Sequence, residues 1–396
     1  FGQNGTFNGT KTAQGNADEN GIGNFYYSVP SGFLALCTAN LPDPTIGPGQ
    51  TEQADDNFNT VLYTGNGYPT SGTQSITGVG FQPDWVWIKN RDRSSYNHFL
   101  FDSVRGATKV LRSNVANAEG TESTALTSFD SDGFSLGANN EVNYQNDSIV
   151  SWNWKAGGSA SSNSNGSITS SVSANQDAGF SIVSWTGTGS AGTIGHGLSS
   201  APEHIIVKNR DSTAGRIWLN YVKTAASDAE TDYLSLQGTG AAVDNADVWN
   251  DTAPTSTVFS VGSNASANEG SDKMIAYCFH SVEGYSKFGS YHGNGNANGT
   301  FIYTGFRPAW LMIKNASLAG TNWVMFDDKR STFNVTNDAL LASSNAAEYA
   351  NNSSFAIDML SNGFKARSNY GDLNQASNRI IYLAFAEAPF KFANAR

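Results

Sequence analysis

The sequence predicts an all-β protein of tandem antiparallel β-sandwich modules, of the jelly-roll or concanavalin-like type, with three internal repeats. Charged residues make up only 14% of the chain, against roughly 25% in an average globular domain. Glycine, serine, threonine and asparagine take their place, and these residues favour turns and disfavour helix interiors. Short apolar and aromatic runs lie between the turns, and four such runs recur in the same order three times. Recurrence at matched spacing is typical of a repeat architecture.

The first repeated block is a short β run that ends in an aromatic residue, one further residue and Gly-x-Gly. Its copies lie at 58–67, 180–189 and 286–295. The second block contains a proline and ends in Lys-Asn. Its copies lie at 81–90, 200–209 and 306–315. Proline fits the first position of a strand, where no ladder donor is needed, so the apolar run after each proline predicts a strand.

The third block is another apolar strand, and the polar loop before it predicts a β-hairpin in each module. The expected pairs are 84–90 with 97–102, 203–209 with 216–221, and 309–315 with 322–327. The fourth block is a strand followed by a final apolar strand. Its copies are 132–137 with 148–154, 258–262 with 273–279, and 362–367 with 379–385. Gly133 and Gly363 follow Asp and Asn, a pairing that favours a turn with positive φ.

The blocks divide the chain into four segments. Residues 1–46 match no block and are expected to be the last strands of a separate β domain, with the rest of that domain upstream of Phe1. The three repeats are then 47–158, 159–283 and 284–396. The Gly/Ser-rich segment 157–166 predicts a flexible linker, so the first module is expected to move more freely than the other two.

Charge and motifs exclude several classes of function. The net charge is −11, and no Lys/Arg cluster is long enough to follow a phosphate backbone, so nucleic acid is not expected as a partner. No run of 18 apolar residues exists, so no membrane insertion is expected. The chain has no H-E-x-x-H motif, and we expect no catalytic residue, no metal and no cofactor. Cys37 and Cys278 are expected to be buried free thiols.

Three further patterns are interpreted as turns or weak sites. GTGSAG at 187–192 fits G-x-G-x-x-G, but the sequence after it cannot form the helix that a dinucleotide site needs. The segment 130–133 begins like a calcium loop but lacks the rest of that pattern, which indicates a turn. Asp55-Asp56 and Asp327-Asp328 are the other candidate cation contacts.

Two of the nine tryptophans are candidate ligand contacts, because exposed aromatic faces can stack on sugar rings. Trp249 lies in a polar insert unique to the second module. Trp87 alternates with Trp85 along a strand and is expected to face outward. The remaining tryptophans are predicted to lie in cores: Trp85, Trp152, Trp154, Trp185, Trp218, Trp310 and Trp323.

GNFYYSVPSGFLALCTANLPDPTI at 23–46 resembles the C-terminal end of SPRY-like domains in marine phage proteins. The repeats resemble a domain of unknown function that recurs in tail-fibre-like and other virion proteins of marine podoviruses and myoviruses. The stretches that carry this resemblance include WNWKAGG (152–158), FIYTGFRPAWLMIKN (301–315) and YLAFAEAPF (382–390). The resemblance implies β-sandwich modules in a virion component.

The resemblance thus implies a non-enzymatic structural or adhesive protein of the virion surface: a tail fibre, spike or capsid-surface fibre in host attachment. Its expected partners are other virion proteins, a host-surface glycan or protein, and copies of itself. A trimer is favoured over a dimer, because a slender array of modules leaves its sides exposed. The alternative is a lectin-like secreted carbohydrate-binding protein of a marine bacterium. A polysaccharide-cleaving enzyme is the third hypothesis and would need paired carboxylates facing a groove.

Overall fold

The computed structural model describes residues 12–388 except Leu36, 41–43, Pro48 and 213–214. The chain divides into two compact units, residues 1–43 and 44–396. Strands form most of the regular structure, and no helix in the described part of the chain is longer than four residues. The all-β prediction is therefore confirmed.

The described residues of the first unit form turns, one isolated bridge and a 3-10 turn at Thr38–Asn40. The Asp18 carboxylate organises these turns by accepting hydrogen bonds from the backbone of Ile22 and Ala35, both at 2.8 Å. Phe33, in the apolar run, is 66% exposed. The expectation of strands here is wrong for the described residues, because loop backbone is held by a side chain and not by a neighbouring strand.

The second unit holds three modules, preceded by a 3-10 turn at Ala54–Asp56. The first module has β1 (Phe58–Thr64), β2 (Gln74–Ile76), β3 (Trp85–Asn90), β4 (Phe99–Asp102), β5 (Lys109–Val110), β6 (Gly120–Thr121), β7 (Leu126–Asp130), β8 (Gly133–Leu136) and β9 (Ser148–Trp154). The second has β10 (Ser161–Asn163), β11 (Ser170–Asn175), β12 (Phe180–Thr186), β13 (Gly192–Gly195), β14 (His204–Asn209), β15 (Leu219–Val222), β16 (Asp232–Ser235), β17 (Val243–Asp244), α1 (Ala246–Trp249), β18 (Val258–Val261), α2 (Ala265–Asn268) and β19 (Lys273–Phe279). The third has β20 (Ser286–His292), β21 (Phe301–Tyr303), β22 (Pro308–Asn315), β23 (Trp323–Asp327), β24 (Leu340–Leu341), β25 (Ile357–Leu360), β26 (Gly363–Ala366), α3 (Gly371–Asn374) and β27 (Arg379–Ala386).

One order of antiparallel strands occurs in all three modules. The large sheets contain β1-β9-β3-β4, β12-β19-β14-β15 and β20-β27-β22-β23. The second sheet is widened by β10-β11 on one side and β16-β17 on the other, and the third by β24. The prolines Pro83, Pro202 and Pro308 occupy the same topological position, at or just before the strand that lies third in each order. The predicted hairpins β3–β4, β14–β15 and β22–β23 are confirmed.

Each large sheet is buried on both faces. In β3, Val86 and Ile88 pack with residues of the small sheet β2-β8-β7, which gives the module a sandwich-like core. Trp85 and Trp87 lie in a central core to which all three modules contribute. The expectation that Trp87 faces outward is wrong, because side chains two residues apart on a strand lie on the same face.

Aromatic rings join the modules in pairs within the central core. These contacts are Trp85 stacked on Tyr277 at 4.4 Å between centroids, Phe58 stacked on Phe385 at 5.2 Å, and Phe279 tilted against Phe288 at 5.7 Å. They link the first module to the second, the first to the third, and the second to the third. The modules therefore form a closed ring, and the first contacts the last.

Equivalent hydrogen bonds recur around this ring at equivalent positions of the strand registers. In each case a ring nitrogen donates to a backbone carbonyl of the adjacent module. The pairs are Trp218 with Arg112 at 2.9 Å, Trp323 with Ser235 at 2.9 Å, and His98 with Leu341 at 3.0 Å. The second module thus contacts the first, the third contacts the second, and the first contacts the third. This cyclic order gives the unit an internal threefold pseudosymmetry.

His98 replaces tryptophan at the contact that closes the ring. Its Nδ1 accepts a hydrogen bond from the indole N–H of Trp87 at 2.9 Å, so its proton lies on Nε2, which donates to Leu341. Burial and the nearby charges of Lys89 and Arg330 lower the pKa of His98 well below its usual value. A neutral histidine therefore serves as the donor that an indole provides at the other two contacts.

The linear array with a mobile first module is therefore wrong. Within the expected linker 157–166, residues 161–163 form β10, which pairs with β11. The aromatic face of each large sheet would be exposed to water in a linear array. Ring closure buries all three faces against one another, which removes more apolar surface from water than contacts between neighbours alone.

The Lys-Asn pairs of the second block have a structural role. The side-chain oxygen of Asn90 accepts from the amides of residues 92 and 93, and Asn209 does the same two and three residues further on. These bonds begin the hairpin loops. The lysines Lys89, Lys208 and Lys314 are fully buried, and their ammonium groups donate to backbone carbonyls at 2.7, 2.6 and 2.6 Å. Burial lowers the pKa of each to about 8.

Valine at Gly133 or Gly363 is expected to destabilise the protein by about 1–3 kcal/mol in chemical denaturation. Gly133 has a φ of +138°, as predicted, and an added Cβ would lie 2.0 Å from the Ile76 carbonyl oxygen. The positive φ predicted for Gly363 is wrong, but its Cβ would lie 2.0 Å from the Ile302 oxygen. Gly240→Ala is the control, because no atom lies within 4 Å of its added Cβ. Equal stability of all three variants would contradict this account.

Candidate ligand-binding groove

Neither tryptophan proposed as a ligand contact is accessible. Trp249 lies in α1, is 2% exposed, and donates its indole N–H to the Asp232 carbonyl oxygen at 2.9 Å. The polar insert begins α1 with an Asn245 cap on the amide of Asp247, and this turn directs Trp249 into the core of the second module. Trp87 is fully buried in the central core. The seven tryptophans predicted to be core residues are all buried.

A groove lies instead on the widened part of the second sheet. It has a volume of about 470 Å³ and is lined by Ser162, Thr169, Ser170, Ser171, Ser184, Trp185, Thr186, Arg210 and Lys273. Its position follows from strand register. Ser162 on β10 lies opposite Ser171 on β11, which lies opposite Ser184 on β12. Three hydroxyl groups therefore form a row across three neighbouring strands.

The two cations of the groove differ in how far they are neutralised. Arg210 forms a double hydrogen bond to the Glu119 carboxylate, at 2.9 and 3.1 Å, and holds the second module to the first. The Lys273 side chain is 65% exposed, and its Nζ lies 4.0 Å from the nearest Asp211 oxygen. Lys273 is therefore the cation that can bind an incoming anion.

Trp185 does not offer a stacking surface in this groove. It is 5% exposed and packs edge-on against Phe259 at 5.7 Å. Serine and threonine hydroxyls both donate and accept hydrogen bonds, so the walls suit a hydroxylated ligand. The groove could not be predicted from the sequence, because isolated serines on strands resemble ordinary solvent-facing positions. The only signal was the dense run of hydroxyl residues in SITSSVS, at 167–173.

Three of the other candidate segments contain structural turns or ion pairs. GTGSAG connects β12 to β13, as the turn interpretation predicts. Asp132 accepts from the amides of Gly78 and Gly80 at 3.1 and 2.6 Å, so the segment that resembled a calcium loop is a turn. Asp327 pairs with Arg330 at 2.6 Å. Within the described residues, no group of three or more His, Cys, Asp or Glu side chains is placed to hold a metal ion.

Two other expectations concern the cysteines and the membrane. Cys278 is buried and free, as predicted, whereas Cys37 is free but only half-buried. Burial raises the pKa of the Cys278 thiol, which makes it unreactive near neutral pH. In the described ranges, no helix has the length and apolar character that crossing a bilayer requires.

Comparison with known proteins gives a family but no function. A family model described as a domain of unknown function, DUF7483, matches residues 53–389, which is most of the chain. No curated protein and no solved structure matches the chain. The groove therefore has to be interpreted from its own chemistry.

Proposed function

The chain belongs to the DUF7483 family, and on that premise we propose that it is a non-enzymatic structural and adhesive protein of the virion surface. It would serve as a tail fibre, spike or capsid-surface fibre in host attachment. The observation that carries the adhesive part is the hydroxyl-lined groove of the second module, with Lys273 at its edge. The virion part rests on the resemblance of the repeats to those of marine phage proteins.

The ring supports this proposal because an adhesin gains affinity from a preorganised surface. The walls of the groove come from strands of one continuous sheet, so ligand binding would not have to order them. One edge of the groove is fixed by the ion pair between Arg210 and Glu119 of the adjacent module. Attachment also requires a stable scaffold, which the buried contacts between all three modules provide.

The chemistry of the groove favours an acidic glycan as its ligand. A row of hydroxyl groups can exchange hydrogen bonds with sugar hydroxyls, and Lys273 can pair with a carboxylate or sulfate. The net charge of the chain is −11, so an acidic ligand would be attracted only by local charges such as that of Lys273. Attraction of the acidic ligand would therefore be local and sensitive to salt.

Substitutions in the groove are expected to weaken binding of an alginate hexasaccharide, measured by isothermal titration calorimetry. Ser171→Val and Ser184→Val should each reduce affinity about three- to tenfold, since each removes one hydrogen bond. Lys273→Gln should reduce it about threefold at low salt and less at high salt, because this side chain is exposed. Lys365→Gln, in the third module, is the control. Equal affinity of all four variants would exclude the groove as the glycan site.

Electron microscopy tests the virion assignment. Gold-labelled antibodies against the chain should decorate the surface of intact phage particles and show whether it forms a fibre or a spike. Particles without label, together with secretion of the chain by a bacterium, would favour the lectin-like alternative, for which the same groove would be the sugar site. A polysaccharide-cleaving enzyme would instead release reducing ends from its glycan.

Association between copies stays part of the proposal, with a trimer favoured over a dimer. Ring closure already buries the sides that a linear array would expose, so association would have to use other surfaces. Surface remains on the third module, where Phe301, Tyr303 and Phe333 are 44%, 63% and 84% exposed. Apolar side chains at such exposure are suited to contacts with further copies or with other virion proteins.

A further inference from the structure

A separate cavity lies between the first and third modules, away from the groove. Its volume is about 180 Å³. It is lined by Asp55, Phe58, Asn59, Thr60, Ala309, Asp328, Lys329, Ala386, Glu387 and Ala388. The first module contributes one wall through β1, and the ends of β23 and β27 in the third module contribute the other.

Two residues that line this cavity each have a buried side-chain oxygen with no hydrogen-bond partner within the protein. These oxygens are Oγ1 of Thr60 and Oδ1 of Asp328. Thr60 is 5% exposed, and the Asp328 side chain is 6% exposed. Arg307 lies 3.7 Å from the other oxygen of Asp328 and 2.6 Å from Glu387. Leaving buried acceptors unpaired costs about 1–3 kcal/mol each, so a donor inside the cavity would be bound favourably.

The first and second modules each have a hydrogen-bonded pair of side chains that the third module lacks. At the position of Ala309, the first module has Asp84 and the second has Glu203, by the strand registers. Asp84 accepts from the Ser103 hydroxyl at 2.7 Å, and Glu203 from the Lys223 ammonium at 3.4 Å. Each of these modules therefore pairs an acceptor with its own donor.

In the third module an acceptor occupies the position of the donor, and no polar side chain occupies the position of the acceptor. Ala309 supplies no side-chain acceptor, and the position of the donors Ser103 and Lys223 is occupied by Asp328, whose carboxylate is itself an acceptor. Burial raises the pKa of Asp328 to about 6, and the neighbouring charges of Lys329, Asp327, Glu387 and Arg307 partly offset one another. The carboxylate is therefore mostly ionised at neutral pH but incompletely neutralised. A donor has to come from outside the chain.

We propose that this cavity is a binding site for a compact primary-ammonium ligand that also carries hydroxyl groups, the chemical class of the amino sugars. The ammonium group would donate to Oδ1 of Asp328, as the Lys223 ammonium donates to Glu203 in the second module. A hydroxyl group of the ligand would donate to Oγ1 of Thr60. The site is distinct from the hydroxyl-lined groove and does not depend on the proposed function.

Saturation-transfer NMR and isothermal titration calorimetry with D-glucosamine at pH 7 test the proposal, with D-glucose as the uncharged probe of nearly equal size. Glucosamine should bind at least about tenfold more tightly than glucose, because its ammonium makes a charge-assisted hydrogen bond. Asp328→Asn should reduce that affinity about tenfold, and Thr60→Val about threefold. Ala309→Leu should abolish binding by filling the cavity without altering any charge.

The matched control is Asp372→Asn, which neutralises another buried carboxyl with a raised pKa outside this cavity. It should leave glucosamine affinity unchanged. If Asp328→Asn does not fold, Ala309→Leu still decides the question, since it keeps the carboxylate. Unsaturable binding of glucosamine by the wild-type protein would show that water alone fills the cavity and would overturn the proposal. Equal affinity of the wild-type and Ala309→Leu proteins would overturn it as well.

Discussion

Asp102→Val is expected to lower the free energy of unfolding by about 3–5 kcal/mol, because it leaves the buried Arg105 guanidinium without its closest counter-ion. Both side chains are fully buried. Asp102 also accepts from the Tyr277 hydroxyl of the second module at 2.7 Å. The single change therefore leaves Arg105 with only the more distant Glu119 carboxylate, at 3.2 Å, and removes the acceptor of a buried hydroxyl group at a contact between modules.

The chain contains an apolar version of the same contact. Where the third module meets the second, the equivalents of Asp102, Arg105 and Tyr277 are Val222, Ala225 and Leu383. All three pack in or against the central core. The triple variant D102V/R105A/Y277L reproduces this version and should recover at least half of the stability that D102V loses, because no charge remains buried without a partner.

Urea denaturation followed by tryptophan fluorescence measures both variants. Asp358→Asn is the control for loss of a carboxylate, because Asp358 pairs with an Arg367 that is 43% exposed, and such pairs contribute about 0–1 kcal/mol. A triple variant whose loss equals the sum of its single changes would show that the three residues do not act as a unit. Asp102→Val with wild-type stability would show that Arg105 is neutralised by other groups.

Raising the pH from about 8 to 9.5 is expected to stabilise the protein by about 1–2 kcal/mol for each of the three buried lysines. Burial lowers the pKa of Lys89, Lys208 and Lys314 from 10.5 to about 8. Between these two pKa values the unfolded chain binds more protons than the folded one. The free energy of unfolding therefore rises with pH through this window. Below pH 8 the folded state carries the full cost of burying each charged ammonium group.

Other buried groups set the upper limit of the window. Burial raises the pKa of Cys278 and of tyrosines such as Tyr285 and Tyr291, so these groups ionise first in the unfolded chain. Their contribution to stability falls as the pH rises through about 9 for the thiol and 10 for the phenols. The gain from the lysines is therefore best resolved below about pH 9.5.

Denaturation curves at several pH values test this expectation. Lys89→Met should remove about one third of the increase in unfolding free energy between pH 8 and 9.5, whatever its effect on stability at pH 7. Lys273→Met is the control, because this side chain is 65% exposed. A gain that is the same in the wild-type and Lys89→Met proteins would show that Lys89 is neutral or solvated in the folded state.

Strand formation and the hairpins could be predicted from the sequence because they depend on local signals. The prolines, the Lys-Asn pairs and the turn glycines occupy fixed offsets from apolar runs. Turn chemistry and strand propensity act over a few residues. The seven predicted core tryptophans are also buried, because large aromatic side chains within apolar strands are rarely left in water.

The candidate sites could not be predicted, because exposure depends on packing between distant segments. Trp249 is buried by a helical turn, which leaves no signal at the residue itself, whereas the burial of Trp87 could have been inferred from its spacing of two residues from Trp85. The groove depends on the register that brings Ser162, Ser171 and Ser184 into one row. The cavity at Asp328 depends on a wall contributed by β1, which is more than 250 residues away in the sequence.

The sequence alone therefore determined that this protein is all-β and that one set of four strands recurs three times. Strand periodicity and turn formation depend on residues that are close together in the sequence. Only the tertiary structure decided that the modules close into a ring. Contacts such as that of Arg91 with Glu348, at 2.7 Å, join residues that no local pattern relates. The ring closes because this buries the second face of each large sheet. Which apolar faces pack together depends on the tertiary structure as a whole.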